Sequence, residues 1–225
     1  MKTSAVVLAA GRGERFGGER NKVWTELSGS PLLQHTLHAL SQGNLVEEVI
    51  VVARPGEESE VAELLQELAT PAAVVPGGER RADSALAGIE AARGEFVLIH
   101  DGARPLVTVE LLRRVLAAAV AHGAAVPVLP VVDTLRRVSN GYFLPEPVPR
   151  ENLVRVQTPQ GFRRSLVLAA YHHTLPNHLD LPDDAAAVLA FGHPVAVVPG
   201  DPRNVKVTHL EDLALVSRLL GSLPK

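Results

Sequence analysis

Short, strongly apolar runs alternate with amphipathic helix patterns along most of the chain, and this alternation constrains the fold more than any other feature of the sequence. The apolar runs are Ala5–Ala10, Glu48–Ala53, Ala72–Pro76, Phe96–Asp101, "AAVPVLPVVD" and "VAVVPG". The helix patterns are "PLLQHTLHAL", "ESEVAELLQEL", "RADSALAGIEAA" and "TVELLRRVLAAAVAHG". Strands without polar alternation are typical of a sheet that is covered on both faces. We therefore predict a Rossmann-like α/β fold with a mostly parallel sheet, helices on both faces and right-handed crossovers.

Two helices carry recognisable end signals. Thr108 and Gly123 are expected at the two ends of the helix that begins with "TVELL", because a hydroxyl accepts from the first free N–H groups and glycine adopts the backbone that ends a helix. In "THLEDLALVSRLL", Thr208 and Glu211 have the spacing of a capping box. We therefore expect the last helix to begin at Thr208.

One segment, at about residues 133–157, breaks the alternation. It contains the dipeptide Asn140-Gly141, which is typical of a hairpin turn, and prolines follow it. We predict an extended β-arm inserted into a single domain that spans residues 1–225. Because such an arm has little core of its own, we expect it to pack against a second copy of the chain in a homodimer.

The composition excludes several classes of site. The chain has no cysteine, so disulfides, iron–sulfur clusters, thiolate zinc sites and a cysteine nucleophile are excluded. It also lacks the HExxH motif of zinc peptidases and the GxSxG motif of serine hydrolases. The formal net charge of −3 argues against a broad nucleic-acid or membrane-binding surface.

The apolar runs are all short. None approaches the roughly 20 residues that span a bilayer. The segment "SAVVLAAG" is too short for the apolar part of a signal peptide and is followed directly by charged residues, so it is interpreted as a strand. We therefore expect a cytoplasmic protein with no membrane partner.

The loop after the first strand combines glycines with basic residues in "AAGRGERFGGERNK". Ligands of open α/β sheets bind at the carboxyl ends of the strands, and glycines let backbone N–H groups approach an anion closely. We therefore predict a polyphosphate site here. The loop matches neither common phosphate motif, because Phe16 occupies the third small position of the dinucleotide fingerprint and Glu19-Arg20 follow where a P-loop has Lys-Ser/Thr.

Three further segments after predicted strands carry polar residues. Asp101 and Gly102 end a buried strand, and such a carboxylate can hold Mg²⁺ together with substrate phosphates. In "GGERRADS", Gly78 and Ser84 are placed to contact a nucleobase or a sugar edge. Lys206 lies between two valines, and a lysine in such surroundings usually has a charged partner or a phosphate to bind.

Together these segments resemble the 2-C-methyl-D-erythritol 4-phosphate cytidylyltransferases, a family of the non-mevalonate isoprenoid pathway. The matching segments are "LAAGRGERF", "NK", "GGERRADSALAG", "HDGARP", "DT", "TPQ" and "NVKVT". They occur in the family's order and cover nearly the whole chain, whereas the first loop alone is typical of sugar-phosphate nucleotidyltransferases in general. The resemblance implies an enzyme that joins CTP to 2-C-methyl-D-erythritol 4-phosphate with Mg²⁺. The products would be 4-diphosphocytidyl-2-C-methyl-D-erythritol and pyrophosphate.

The resemblance also implies a role for each matching residue. The catalytic residues that meet the phosphates would be Arg15, Lys22 and Lys206. The nucleotide would be bound by Ala9, Ala10, Gly11, Gly13, Gly78, Ser84 and Gly102, and the metal by Asp101. The acceptor would be bound by Arg104 and Thr158, with Thr158 near its phosphate, and by two arm residues, Thr134 and Arg150. In the family, these two arm residues reach the acceptor in the partner subunit of a dimer.

Two positions depart from the family pattern. Asn21 stands where the family often has a proline before the lysine, and Pro182 in "LPDDAA" replaces a family threonine near the acceptor. The second change removes a hydroxyl group. A cytidylyltransferase for ribitol 5-phosphate or another polyol phosphate therefore stays open as an alternative.

Two other functions are less favoured by the sequence. A non-catalytic nucleotide-binding regulator would not need Arg15, Lys22, Asp101 and Lys206 together. An NAD-dependent oxidoreductase is disfavoured by Phe16 in the first loop.

Overall fold

The computed structural model describes residues 2–11, 20–177, 179 and 181–221. Its strands are β1 (Thr3–Leu8), β2 (Glu26–Leu27), β3 (Ser30–Pro31), β4 (Glu48–Ala53), β5 (Ala72–Pro76), β6 (Phe96–Asp101), β7 (Ala124–Pro130), β8 (Leu135–Ser139), β9 (Tyr142–Val148), β10 (Val154–Val156), β11 (Gln160–Arg163) and β12 (Ala196–Pro199). Its helices are α1 (Leu32–Ser41), α2 (Glu58–Leu65), α3 (Arg81–Ala91), α4 (Val109–His122), α5 (Arg164–Thr174), α6 (Asp184–Ala190) and α7 (Glu211–Gly221). None of the helices described is long and apolar enough to cross a bilayer.

The main sheet is mostly parallel, which confirms the predicted α/β fold. Strands β6, β1, β4 and β5 pair in that order, all in parallel, and β12 pairs in parallel with β7. The exceptions are β11, which lies between β6 and β7 and is antiparallel to both, and β10, which is antiparallel to β7. Leu8 is paired with both Val52 and Asp101. The carboxyl ends of β1, β4 and β6 therefore lie side by side at one edge of the sheet.

Apolar layers cover both faces of this sheet. Val6 faces the layer formed with α3, α5 and α6, whereas the next residue, Val7, faces the layer formed with α1 and α4. Both side chains are fully buried, which is why the strands lack polar alternation. Helix α3 packs close to the sheet at Gly88, where a Cβ atom would collide with the side chains of Val6 and Val52.

The predicted hairpin turn is present in the arm. Strands β8 and β9 form a separate two-stranded sheet, and Asn140 and Gly141 at its turn have φ angles of 52° and 83°. The end of the segment predicted as an arm behaves differently, because Val154–Val156 forms β10 and pairs with β7 of the main sheet. A three-residue strand is too short to be recognised from its periodicity.

The two predictions of helix ends differ in outcome. Thr108 accepts from the backbone N–H of Leu111 at the start of α4, and Gly123 ends that helix with a φ of 82°, as expected. For α7 the prediction was wrong, because the helix begins at Glu211 and not at Thr208.

A different carboxylate caps α7. The side chain of Asp212 accepts from the backbone N–H groups of Thr208 and His209 at 2.7 and 2.8 Å. The Thr208 hydroxyl donates instead to the carbonyl of Lys206 at 3.3 Å. Val207, directly before this segment, is fully buried and donates from its N–H to the carbonyl of Ala103 at 2.9 Å, so tertiary contacts and not the local spacing fix the chain before α7.

Candidate active site

Two adjoining cavities open at the carboxyl edge of the sheet. The larger, of about 880 Å³, lies beyond the ends of β1, β5 and β6. The smaller, of about 220 Å³, lies beside it and is bounded by the segment before α6. Arg81, Asp101 and Lys206 line both cavities and therefore form their common wall. This is the edge of an open α/β sheet at which ligands bind.

Most of the predicted site residues line these cavities. The larger cavity is lined by Ala9, Ala10, Gly11, Lys22, Gly78 and Ser84, together with Asp101 and Lys206. The smaller is lined by Arg104 and Thr158, and also by Pro182. Gly102 lines neither cavity; its N–H donates to the carbonyl of Leu8 at 3.0 Å and joins the ends of β6 and β1. Gly13 and Arg15 lie outside the described residues.

Asn21 fixes the turn that carries Lys22. Its side-chain amide donates to the carbonyl of Ala9 and, at 3.0 Å, to Glu57, while its Oδ1 accepts from the N–H of Val23. The residue is 2% exposed. The amide thereby ties the 3-10 turn at Lys22–Trp24 to the end of β1. Lys22 reaches across the cleft, where its Nζ donates to the carbonyl of Val207 at 2.9 Å.

Ser84 holds the loop after β5. Its Oγ accepts from the N–H of Gly78 at 3.1 Å, and the N–H of Gly77 donates to the carbonyl of Ala53 at 2.8 Å. A Cβ atom at Gly77 would collide with Ala10 and with Ser84. The backbones of the two glycine-containing loops therefore approach each other at one end of the larger cavity, and only glycine fits at that point.

Asp101 is the centre of a charged cluster at the end of β6. Its Oδ2 lies 2.9 Å from Nζ of Lys206 and 3.2 Å from Nε of Arg104. Burial raises the pKa of the Asp101 carboxyl, but Lys206 and Arg104 outweigh burial and hold that pKa well below its usual range. The carboxyl group is therefore ionised throughout the neutral range.

The segment that carries Lys206 is held by hydrogen bonds from the side chains of Arg104, Asn204 and Gln157. Arg104 donates from Nη1 to the carbonyl of Asn204 at 2.9 Å. Asn204, which is fully buried, donates to the carbonyl of Thr158 at 2.7 Å, and Gln157 donates to the carbonyls of Asp201 and Asn204. These contacts fix the backbone from which Lys206 extends to Asp101.

His100 decides which way the Thr158 hydroxyl points. Nε2 of His100 lies 3.1 Å from the carbonyl oxygen of Arg104, which can only accept, so Nε2 carries the proton. Burial lowers the pKa of His100 to about 4, so the ring is neutral and its Nδ1 is an acceptor. The Thr158 hydroxyl, 3.0 Å away, therefore donates to Nδ1, and its oxygen accepts from the N–H of Asp101 at 3.1 Å.

The two predicted arm residues lie away from both cavities of their own chain. Thr134 and Arg150 are exposed, and neither lines the larger or the smaller cavity. The guanidinium of Arg150 donates to the carbonyl of Val132 at the base of the arm. A role for these residues in the cavities of the same chain is therefore not supported.

Positive charge predominates around the larger cavity. Among the described residues that line it, the cationic ones are Lys22, Arg54, Arg80, Arg81 and Lys206, and the acidic ones are Glu79 and Asp101. Low-dielectric walls with an excess of one sign of charge concentrate the opposite charge within the cleft. The larger cavity is thus suited to a polyanion such as a nucleoside triphosphate.

Sequence reasoning did not identify every residue that shapes the site. Arg81 and His100 lie inside the matching segments "GGERRADSALAG" and "HDGARP", but their residue types and spacing indicate no particular role. Asn21 was noted only as a departure from proline, although it anchors the turn of Lys22. Several of their contacts join distant parts of the chain, such as Arg81 to Asp184 and His100 to Thr158, and no local spacing signals those contacts.

Comparisons with known proteins agree with this geometry. A family model described as 2-C-methyl-D-erythritol 4-phosphate cytidylyltransferase (IspD) matches residues 3–222. The chain is 40% identical to the protein of that name from Geobacillus kaustophilus, over 99% of this chain and 98% of the relative.

Solved structures give the same result. The 2-C-methyl-D-erythritol 4-phosphate cytidylyltransferase from Thermus thermophilus superposes with a TM-score of 0.79 at 37% identity, over 96% of this chain and 98% of that chain. The 4-diphosphocytidyl-2C-methyl-D-erythritol synthase from Anaerococcus prevotii superposes with a TM-score of 0.85 at 28% identity, over 98% of each chain. The nucleotidyltransferase fold, the two cavities and the match along nearly the whole chain lead to one conclusion: this chain belongs to the 2-C-methyl-D-erythritol 4-phosphate cytidylyltransferase family.

Proposed function

We propose that this chain transfers the cytidylyl group of CTP to the phosphate of 2-C-methyl-D-erythritol 4-phosphate. The observation that carries the proposal is the pair of cavities with the common wall of Arg81, Asp101 and Lys206. A triphosphate in the larger cavity and an acceptor phosphate in the smaller one would meet at this wall. There an acceptor oxygen forms a bond to the α-phosphorus, the bond from the α-phosphorus to the bridging oxygen breaks, and pyrophosphate leaves. Membership of the family supplies the identities of the two substrates.

The reaction needs charge neutralisation more than a general base. An acceptor phosphate already presents a deprotonated oxygen at neutral pH, and the main obstacle is its repulsion by the triphosphate. Lys22 and Lys206 both line the larger cavity, and the Nζ of Lys22 donates to the carbonyl of Val207, the residue next to Lys206. We assign both ammonium groups, with Arg15 of the first loop, to the charge that builds up in the transition state.

The nucleotide is assigned to the two loops that meet at Gly77. The backbone of Ala9, Ala10 and Gly11 and the loop at Gly78, which Ser84 holds in place, line the larger cavity. Backbone donors and acceptors near Ala10 and Gly78 would select cytosine over uracil by hydrogen bonds to the edge of the base.

The acceptor is assigned to the smaller cavity, with Arg104 and Thr158 in its wall. The hydroxyl proton of Thr158 is already donated to His100, so Thr158 can offer an incoming group only an oxygen lone pair. A hydroxyl of the sugar alcohol suits that lone pair, whereas a phosphate oxygen does not. We therefore assign Thr158 to the polyol part of the acceptor, whereas the resemblance implied a position near the acceptor phosphate.

Asp101 fits a magnesium ion that binds together with the substrate phosphates. Its carboxylate ends β6, borders both cavities and is held ionised by its cationic neighbours. The described residues contain no group of three or more His, Asp or Glu side chains arranged to hold a metal. A single protein carboxylate suits Mg²⁺, whose other ligands in such sites are phosphates and water. When bound, Mg²⁺ would supply neutralising charge at the triphosphate.

A homodimer is supported by the surface of the arm. The exposed apolar side chains of its β8–β9 hairpin include Val138, Tyr142 and Phe143, of which Tyr142 and Phe143 are 79% and 75% exposed. Apolar side chains gathered on one projecting hairpin mark an interaction surface. A second copy of the chain would cover them and would bring Thr134 and Arg150 to the acceptor cavity of its partner.

The test is pyrophosphate release with CTP and Mg²⁺, with 2-C-methyl-D-erythritol 4-phosphate and ribitol 5-phosphate offered in parallel. Release with the first acceptor alone supports the proposal. Release with ribitol 5-phosphate alone would overturn the assignment of the acceptor. It would favour the alternative of a polyol phosphate cytidylyltransferase, which the replacement at Pro182 in the wall of the smaller cavity left open. CTP binding without release in either reaction would favour a nucleotide-binding regulator.

A further inference from the structure

A buried carboxylate fixes Arg81 at the wall between the two cavities. Nη1 and Nη2 of Arg81 donate to the two carboxylate oxygens of Asp184 at 3.0 and 2.7 Å. The hydroxyl of Tyr171 donates to Oδ1 of the same carboxylate at 2.6 Å. Asp184 and Tyr171 are fully buried, whereas the side chain of Arg81 is 33% exposed. The anionic end of this cluster is therefore inside the protein and its cationic end is at the cavity wall.

The cluster joins three helices. Arg81 begins α3, Tyr171 lies in α5 and Asp184 begins α6. The start of α6 is itself anchored, because Gln160 of β11 accepts from the N–H of Ala185 at 2.9 Å and donates to Asp183 at 3.0 Å. The carboxylate of Asp184 thus has a fixed position, and a bidentate contact to a fixed carboxylate fixes the plane of the guanidinium.

The cluster is connected more directly to the wall of the smaller cavity than to that of the larger one. Pro182 and Asp183, which directly precede Asp184, line the smaller cavity only. Among the described residues that line that cavity, the other two cations, Arg104 and Lys206, both contact Asp101. Arg81 is the cation of the smaller cavity whose partner carboxylate lies behind the wall. Its contacts to Asp184 use two of the five N–H donors of a guanidinium, which leaves others for an anion in the cavity.

We propose that Arg81 binds the acceptor phosphate and that Asp184 and Tyr171 are positioning residues that hold its guanidinium at the wall. This inference rests on the function proposed above, because it needs an acceptor phosphate in the smaller cavity. Because Asp184 fixes the plane of the guanidinium from inside the protein, Arg81 would bind a phosphate oxygen at one position and in one orientation. Arg81 thereby helps to direct the attacking oxygen towards the α-phosphorus of the nucleotide.

The experiment compares the steady-state constants of Arg81→Lys and Tyr171→Phe with those of the unaltered enzyme. Tyr171→Phe removes one hydrogen bond to Asp184 and keeps the ring, so we expect the KM for the acceptor to rise about tenfold. We expect a larger rise for Arg81→Lys, because an ammonium cannot keep the bidentate contact. The KM for CTP should change less than about twofold in both variants.

Two control variants separate positioning from a general effect on the helices. Arg164→Lys alters another guanidinium that joins α5 to α3, since Arg164 donates to the carbonyls of Ile89 and Glu90. Thr174→Val removes another buried hydroxyl of α5, which donates to the carbonyl of Ala170. Neither residue lines a cavity, and both controls should keep the KM for the acceptor.

Three outcomes would overturn the proposal. They are an unchanged acceptor KM in Arg81→Lys, equal rises in the KM values for CTP and acceptor, and the same rise in the controls. If Tyr171→Phe does not fold, as judged by circular dichroism, Arg81→Lys decides alone. The unaltered enzyme is assayed first, so a failure of the proposed function is recognised separately as a lack of pyrophosphate release before any variant is compared.

Discussion

The Nζ atom of Lys206 lies 2.9 Å from Oδ2 of Asp101 at the wall shared by the two cavities. The carboxylate that we assign to Mg²⁺ and the ammonium that we assign to the phosphates are thus already paired with each other. Burial raises the pKa of the Asp101 carboxyl, but Lys206 and Arg104 outweigh burial and keep the carboxyl ionised. When the substrates bind, their phosphates would contact Lys206 and Mg²⁺ would contact Asp101. Each group would then again have a partner of opposite charge.

Asp101→Asn tests the magnesium assignment. We expect turnover to fall at least about 100-fold, because a positioned charge in the site is lost, and the Mg²⁺ concentration for half-maximal rate to rise. Turnover is measured as a function of Mg²⁺ concentration. Lys206→Ala breaks the same ion pair but keeps the carboxylate, so its half-maximal Mg²⁺ concentration should stay closer to normal. An unchanged Mg²⁺ dependence in Asp101→Asn would remove Asp101 from the metal site.

Lys22→Ala tests the ammonium that reaches Val207. We expect turnover to fall at least about 100-fold, as when a preorganised electrostatic donor is removed from an active site. The matched control is Lys2→Ala, because Lys2 is exposed and precedes the amino end of β1, at the opposite edge of the sheet. A near-normal turnover number for Lys22→Ala would contradict the assigned role.

Asn21→Ala and Asn21→Pro should differ in stability. Asn21→Ala removes the hydrogen bonds to Ala9 and Val23, and we expect it to lower the free energy of unfolding by about 1 kcal/mol, as for a lost cap. Asn21 has a φ of −58°, which proline also adopts, so Asn21→Pro should lose less. Urea unfolding measures both values. Equal losses would mean that backbone stiffness does not replace the amide contacts.

The lowered pKa of His100 predicts that the folded protein loses stability in acid. Its pKa is about 4 in the folded protein, below the ordinary value of 6.5. Because the unfolded chain takes up the proton first, the free energy of unfolding falls as the pH drops from 6.5 towards 4, by at most about 1.4 kcal/mol per pH unit. The contribution is fully present above pH 6.5. The lowered pKa of Asp101 acts only at still lower pH, below the ordinary carboxyl value of 3.8.

Urea unfolding at a series of pH values measures this effect, with His100→Gln as the comparison. The difference in stability between the two proteins should shrink as the pH falls from 6.5 to 4. A constant difference over this range would show that His100 does not remain neutral in the folded protein.

The exposed aromatic side chains of the arm, Tyr142 and Phe143, lead us to predict a dimer that depends on both of them. We expect the double variant Tyr142→Ser, Phe143→Ser to sediment as a monomer at micromolar concentration. Turnover should fall at least about tenfold, because Thr134 and Arg150 would no longer reach the partner's cavity. The control is Leu215→Ser on α7, an apolar residue that is 49% exposed and lies outside the arm. A monomeric mass for the unaltered protein would contradict the proposed dimer.

Periodicity and turn chemistry determined much of the fold. The apolar runs at 48–53, 72–76 and 96–101 became strands with those bounds, and Asn140-Gly141 became the turn of the arm. Each of these features depends on residues that are close in sequence. The same is true of the strand-end positions of Asp101 and Gly78, because parallel strands bring their carboxyl ends to one edge.

The partners of the site residues were decided only by the tertiary structure. Arg81 and Asp184 are 103 residues apart, and Thr158 and His100 are 58 residues apart. A local pattern reports that a side chain is buried or lies at a strand end, but it does not report which distant side chain it meets. That choice depends on how β11 and α6 pack against the rest of the protein, because packing alone sets the distances over which hydrogen bonds and ion pairs form. The sequence by itself therefore determined the layered fold and the edge at which ligands bind, whereas tertiary packing decided the orientation of each charge and hydroxyl there.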